Sequence, residues 1–436
     1  MSVFGPTRAV ALLAAHHARC ISHRVRTLPP NVFAEFSALA TQHNAVNLGQ
    51  GFPSFPTPAF VQQAAIAAII QDNNQYTRPG GHVRYVETLA EMYAPLVGRP
   101  LDPMREIATF NGAQEGLASI LAALLEPGDE VLTLEPYFDA YVTVAQLHGV
   151  RAAGVPFRFY PDKTNSDKMS SRDFRLDLST LEAMITPKTK LLVLNTPHNP
   201  TGKVLSSEEL RELAHVLERY PDITVLADEV YEFMTYDGVP HERIAALPGF
   251  FDRTISLFSA GKTFSCTGWR VGYAVGPAHL VEGVIKAHST VPFCGTTPFE
   301  VALASVFREA QVNGYFDELR ETMETKRDRL CEALEAHNWR PIVPQGGYFV
   351  CCNVERLPFY NEFRDIEVTA DTPKTEYPDY QFAYKLVKAG HLAVIPTSPF
   401  FSRPENRLAP GMVRLAFCKD DKTLDDSIRV IESLAN

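Results

Sequence analysis

"FSAGKTFSCTGWRVGY", residues 258–273, places Ser259, Lys262 and Arg270 in a loop between two apolar stretches. An ordinary surface loop is the plain reading; three chemistries compete with it. A phosphate-binding P-loop needs a glycine five positions before Gly261, and that position holds Ser256. The Ser-x-x-Lys at Ser259–Lys262 would suit a penicillin-recognising enzyme only with Ser-Asp-Asn and Lys-Thr-Gly partners. Lys262-Thr263 instead runs into Phe264, and no Ser-Asp-Asn occurs. What is left is a lysine whose amine bonds reversibly to an aldehyde, with Ser259 and Arg270 gripping a phosphate on the same ligand.

Bulk properties leave room for such a site. At 436 residues, 45% apolar and 21% charged, the chain can bury a sizeable core and form two domains. A formal net charge of -10 offers no long-range attraction to nucleic acid or to an anionic membrane. No apolar run reaches the roughly 18 residues that a membrane span requires. The seven cysteines show neither zinc-site spacing nor a secreted framework, so reduced thiols in an intracellular compartment are expected, with no metal. The first 34 residues contain Arg8, Arg19, Arg24 and Arg26 and no acid before Glu35. Two readings stay open there, a mitochondrial transit peptide or a loosely packed extension.

From about residue 105 to 280, short apolar runs alternate with amphipathic ones. "EVLTLEP", "KLLVLNTP", "ITVLADEVY" and "TISLFS" read as strands, and "AQEGLASILAALLEPGD" as a helix with Leu117, Ile120, Leu121 and Leu124 on one face. Ser206 and Glu209 form a capping box before "LRELAHVLERY". This alternation predicts an α/β fold with a mostly parallel sheet and ligands at the carboxyl ends of its strands. Further on, a long charged helix over 315–337, a strand at 347–353, a Pro-rich stretch at 356–379, a helix over 380–389 stopped by Gly390 and the strand "GMVRLAFC" predict a smaller α+β domain. The expected division is an extension at 1–30, a large domain at 61–305, and a small domain built from 31–60 and 306–436.

Residues of the right chemical types gather at the predicted strand ends. "HNPTGK" follows one strand, Asp228-Glu229-Val230-Tyr231 the next, Lys262 the third, and Asn111-Gly112-Ala113-Gln114 opens a helix whose free N–H groups favour an anion. Taken alone, the first is a turn and the second a capping acid. Together and in this order they resemble the class I aminotransferases, fold-type I enzymes that use pyridoxal 5′-phosphate. "NLGQGFP" at 47–53, "QYTRPGG" at 75–81, "EPYFDAY" at 135–141 and "NTPHNPTGKV" at 195–204 are similar to the kynurenine aminotransferase group, also called cysteine-S-conjugate β-lyases or glutamine transaminases K. The similarity runs from about residue 30 to the C-terminus.

The resemblance implies specific roles. Lys262 is the covalent anchor and the base, Asp228 lies against the pyridine nitrogen, and Tyr231 and Asn199 bind the phenolic oxygen. Phe138 stacks on the ring. Gly112, Ala113, Gln114, Ser259 and Arg270 surround the phosphate, which Tyr76 reaches from a neighbouring subunit, so a homodimer is expected. Arg414 takes the substrate α-carboxylate with the backbone of Gly51, since a planar guanidinium pairs with a carboxylate through two bonds at once. Phe33, Tyr137 and Phe293 are candidate pocket walls. The implied activity is transfer of an amino group from kynurenine or another aromatic, sulfur-bearing or glutamine-type amino acid to a 2-oxo acid, with β-lyase side activity, in the mitochondrial matrix or cytoplasm. A dedicated C–S lyase and a non-catalytic cofactor-sensing regulator are the alternatives; the regulator needs a DNA-binding module that 34 residues cannot hold.

Overall fold

The computed structural model describes residues 21–161 and 168–434. Most of the expected N-terminal extension, residues 1–20, lies outside the described residues. Eight strands form the main sheet: β1 Ile107–Phe110, β2 Glu130–Glu135, β3 Arg151–Phe159, β4 Phe174–Leu176, β5 Thr189–Asn195, β6 Thr224–Asp228, β7 Thr254–Ser259 and β8 Gly272–Val275. Their order is β1-β8-β7-β6-β5-β2-β3-β4. Strands β2, β3, β5, β6 and β7 run parallel. β8 is antiparallel to both β1 and β7, and β4 is antiparallel to β3.

The period-2 pattern of the sequence accounts for the two cores. Leu191 and Val193 of β5 face one side with Leu226 and Leu257, where Leu117, Ile120 and Leu121 of helix Ala113–Leu124 and Val281 and Val284 of helix Ala278–Thr290 cover them. Leu192 and Leu194 face the other side with Val225, against Leu210, Leu213 and Leu217 of helix Ser207–Leu217. Each fully buried leucine or valine contributes about 1.5–3 kcal/mol of transfer free energy, so a central strand needs apolar residues on both faces. The Ser206–Glu209 capping box forms as expected.

A second sheet of five strands runs in the order Ile395–Pro396, Met412–Ala416, Phe349–Asn353, Pro341–Val343, Met169–Ser170. Val46–Asn47 pairs in parallel with Leu392–Ala393, which ties the N-terminal segment to the C-terminal part. The helix expected over 380–389 spans Pro378–Gly390, and the left-handed residue that ends it is His391 (φ 54°), not Gly390. Gly390 is instead close-packed: a Cβ there would stand 2.8 Å from the Leu386 Cδ1 and 3.3 Å from the Leu434 Cδ2, so a larger residue would have to push those methyls aside. The six described cysteines are buried and free. Among the described residues no helix is long and apolar enough to cross a membrane, and no metal-binding cluster of His, Cys, Asp or Glu occurs.

Candidate active site

Register brings the strand ends level. Asn195 pairs with Asp228, and Asp228 with Leu257, so the segments after β5, β6 and β7 leave the sheet side by side. A cavity of about 270 Å³ opens at these ends. Of the residues singled out above, Phe33, Gly51, Ala113, Gln114, Phe138, Asn199, Asp228, Tyr231, Ser259, Lys262, Arg270 and Arg414 line it.

Asp228 ends β6 and is buried. Its Oδ2 accepts the Tyr141 hydroxyl at 2.5 Å and its Oδ1 the Val230 N–H at 3.3 Å. The Asn195 amide donates to the Asp228 carbonyl (2.9 Å) and its Oδ1 accepts the Asn199 N–H (2.8 Å), so one buried asparagine joins the two loops. Burial pushes the Asp228 carboxyl up to about 6, against the opposing hydrogen bonds from Tyr141 and Val230. Lys262 sits in the short helical turn Ala260–Thr263, capped by the Ser259 hydroxyl, which accepts the Lys262 N–H at 3.3 Å. Its Nζ donates to the Tyr348 hydroxyl (2.5 Å) and the Gly51 carbonyl (2.8 Å). Burial first, then the nearby Arg414 and Arg270 charges, bring this amine down to about 8.

One end of the cavity is built for an anion. Gly112 (φ 90°) precedes helix Ala113–Leu124, and a Cβ on it would stand 2.5 Å from the Arg270 Nη2. A Cβ on Gly272 would stand 2.5 Å from the Ala113 nitrogen. The two glycines therefore let the guanidinium and the helix N-terminus share one corner, where free N–H groups and the helix dipole favour negative charge. Arg270 donates to the Thr267 carbonyl (3.1 Å) and forms no ion pair among the described residues. Glu115, in the first helical turn, is engaged by the Asn111 N–H, Ser119 and His288.

At the other end Arg414 is only 1% exposed. Its Nη1 donates to Asn199 Oδ1 and its Nη2 to the Gly49 carbonyl, both at 3.0 Å, while Nε has no partner. The guanidinium carbon lies 4.0 Å from the Phe349 ring centroid and 4.9 Å from that of Phe33. Burial lowers its proton affinity to about 10. A buried cation with neutral hydrogen-bond partners and one unpaired N–H beside phenyl rings can take an anion.

Four of the singled-out residues do not line the cavity. Gly112 backs the Arg270 corner. Tyr137 is buried and donates its N–H to the carbonyl of Phe400, whose ring lies near Arg414. Tyr76 and Phe293 lie on the surface, Tyr76 being 83% exposed, with their rings 5.2 Å apart and edge to face. Sequence reasoning missed Tyr141, Asn195, Tyr348 and Phe349. Tyr141 carried a signal, since it follows Phe138 by one helical turn in "EPYFDAY". Tyr348 and Phe349, in "GGYFV", read as core strand and carried none.

The two titrating groups have a stability consequence without any ligand. In the folded chain Asp228 titrates near 6 rather than 3.8, so its contribution falls as pH rises from about 4 to 6; Lys262 titrates near 8 rather than 10.5, so its burial cost persists below 8 and lifts as pH rises toward 10.5. At pH 7 each opposes folding by up to about 3 kcal/mol. Lys262→Met is therefore expected to raise the urea midpoint of the ligand-free protein at pH 7 and to lose that gain above pH 10. A lower midpoint at pH 7 would contradict the burial argument.

The sequence pattern of the class I and II aminotransferases matches residues 43–431. Kynurenine–oxoglutarate transaminase of Dictyostelium discoideum is 40% identical over 413 residues, covering 92% of this chain and 94% of that protein. Human kynurenine–oxoglutarate transaminase 1 is 36% identical over 418 residues, covering 94% and 97%. Among solved structures, N-succinyldiaminopimelate aminotransferase from Mycobacterium tuberculosis has a TM-score of 0.84 at 35% identity, covering 95% of this chain and 100% of the other. A methionine aminotransferase from Escherichia coli has a TM-score of 0.83 at 29% identity, covering 95% and 99%. With an amine, an acid and two arginines around one cavity, and with these matches along nearly its whole length, the chain belongs to the class I and II aminotransferases, transaminases of fold-type I architecture whose chemistry implies pyridoxal phosphate.

Proposed function

We propose that this chain transfers the amino group of kynurenine, or of a similar aromatic, sulfur-bearing or glutamine-type amino acid, to a 2-oxo acid. The observation that carries this is the order of groups along one cavity: anion corner, amine and acid, then a buried arginine among phenyl rings. The chain's residues fit pyridoxal phosphate. The corner kept open by Gly112 and Gly272 suits its phosphate, with Ala113 and Gln114 N–H groups, the Ser259 hydroxyl and Arg270 as donors. When bound, the cofactor supplies an aldehyde carbon and an electron-withdrawing ring.

Each residue then has a task. Lys262 would hold the aldehyde and, as a free amine, would carry the proton taken from the substrate α-carbon. Asp228, held by Tyr141 and Val230, would keep a proton on the cofactor's ring nitrogen. Tyr231 and Asn199 donate to the ring oxygen, and Phe138 covers the ring. Arg414 and the Gly51 backbone hold the α-carboxylate. The cations lining the cavity are Lys262, Arg270 and Arg414, all assigned, which leaves none for a side-chain carboxylate and favours aromatic donors over aspartate. Tyr76, exposed in one chain, contributes to the phosphate corner of a second copy in a homodimer.

Kynurenine, phenylalanine, methionine, glutamine and aspartate should be compared as donors with several 2-oxo acids and the products quantified. The aromatic and sulfur donors are expected to exceed aspartate by at least about tenfold in kcat/KM. A preference for aspartate refutes the proposed specificity, and pyruvate, ammonia and a thiol released from an added cysteine S-conjugate without any oxo acid identify a C–S lyase.

A further inference from the structure

The main chain of residues 49–52 has an unusual set of hydrogen-bond donors. Arg414 donates to the Gly49 carbonyl at 3.0 Å. Lys419, whose ammonium is 2.9 Å from the Gln50 carbonyl and 3.0 Å from that of Phe52, holds the residues on either side of Gly51. Gly51 itself is pressed on Phe349, where a Cβ would stand 2.6 Å from the ring. Its carbonyl is thus fixed, and it receives two donors, Lys262 Nζ at 2.8 Å and the Tyr348 hydroxyl at 2.7 Å. Tyr348 has a single hydroxyl proton. Because that proton goes to Gly51, its oxygen must accept from Lys262 Nζ across the 2.5 Å between them. The Tyr348 ring is wedged between Tyr231 and Phe349, with centroids 4.9 Å away on each side.

We propose that the Tyr348 hydroxyl and the Gly51 carbonyl form a dock for the Lys262 amine whenever that amine is free, with Tyr348 as the positioning residue. The proposal rests on the reading of Lys262 as anchor and base. As base, the amine gains an N–H bond while the substrate loses a C–H bond, and the ammonium so formed needs acceptors until it gives the proton back. The dock offers two and leaves the third N–H for the cavity. Loss of the Tyr348 oxygen removes a hydrogen bond to a charged group, so the ammonium is disfavoured and the amine titrates lower. The other groups facing it are Asp228 and Cys418, which favour its charge, and Arg270 and Arg414, which oppose it. Tyr231 lies beside it, with its ring centroid 5.9 Å from Nζ. Tyr348→Phe leaves the four charged or ionisable groups in place and takes from Tyr231 only its hydrogen bond with the Tyr348 hydroxyl.

The test follows carbamylation of Lys262 by cyanate in the ligand-free full chain across pH, read by peptide mass spectrometry. The wild-type midpoint is expected near 8, and Tyr348→Phe should lower it by about one pH unit. 3-Fluorotyrosine installed at 348 keeps ring and hydroxyl, and its weaker acceptor should give a smaller shift in the same direction. In the cofactor-loaded enzyme, Tyr348→Phe should lower kcat about tenfold, with KM changed less than about threefold, and enlarge the isotope effect of α-deuterated substrate. A midpoint unmoved or raised in both variants, or an unchanged isotope effect, overturns the dock. Borohydride reduction of the loaded wild-type enzyme separates the two levels: absence of a cofactor adduct on the Lys262 peptide overturns the anchor assignment itself, whatever the Tyr348 variants do.

Discussion

Lys262→Ala is expected to lower kcat for transamination by at least about 10⁴-fold, because in the proposed mechanism one substitution removes both the nucleophile and the proton carrier. Nothing nearby can take over. The other basic groups lining the cavity are guanidiniums: Arg414 is committed to Asn199 and Gly49, and Arg270 lies in the anion corner. Asp228 is engaged with Tyr141 and Val230. The phosphate donors do not depend on Lys262, so the variant should still bind pyridoxal phosphate, losing only the absorbance band that a lysine-bound aldehyde produces. Removing a buried amine that burial holds near 8 should not destabilise the fold. Activity within tenfold of wild type, with the lysine-dependent band retained, would remove Lys262 from the mechanism.

The sequence made the strand ends legible because two independent regularities coincide there. Period-2 apolar runs predict strands, and turn residues with chemical side chains follow them, as at Asn195–Asn199 and Ser259–Lys262. Parallel strands in register bring these distant stretches together, which is why Asp228 and Lys262 share one cavity. What could not be read was the support behind them. Tyr348 contacts Lys262 across a separation of 86 residues, and Tyr141 contacts Asp228 across 87. Tyr348 sits in an apolar strand where an aromatic residue is the default core filler, so nothing local separates its hydroxyl from a packed ring, while Tyr141 carried only its place one helical turn after Phe138. The left-handed residue that ends helix Pro378–Gly390 was misplaced for a related reason. A glycine near a helix end satisfies the usual rule for chain reversal, but here Leu386 and Leu434 crowd Gly390 and His391 takes the turn.

Arg414 should separate activity from stability most clearly. Arg414→Met deletes the counterion for a carboxylate that would be buried among Phe33, Phe349 and Phe400, and an unpaired buried charge costs about 3–5 kcal/mol. That corresponds to a fall in kcat/KM of about 10²–10⁴-fold. Arg414→Lys keeps the charge but not the fork. One ammonium cannot serve Asn199, Gly49 and a carboxylate in their present geometry, so about 10²-fold should still be lost, mainly in KM. Stability should move the other way. Without substrate the guanidinium is a buried cation whose hydrogen-bond partners are neutral, and burial pulls its proton affinity down to about 10 even though the Asp139 carboxylate acts the other way. Methionine fills a similar volume against three rings without that cost, so the ligand-free Arg414→Met protein should melt at a higher temperature than wild type. Substrate analogues carrying a carboxylate should then stabilise the wild type and leave Arg414→Met unaffected. A variant that melts lower yet keeps its kcat/KM would make this arginine a structural tie between strand Met412–Ala416 and the Gly49 segment and no substrate receptor.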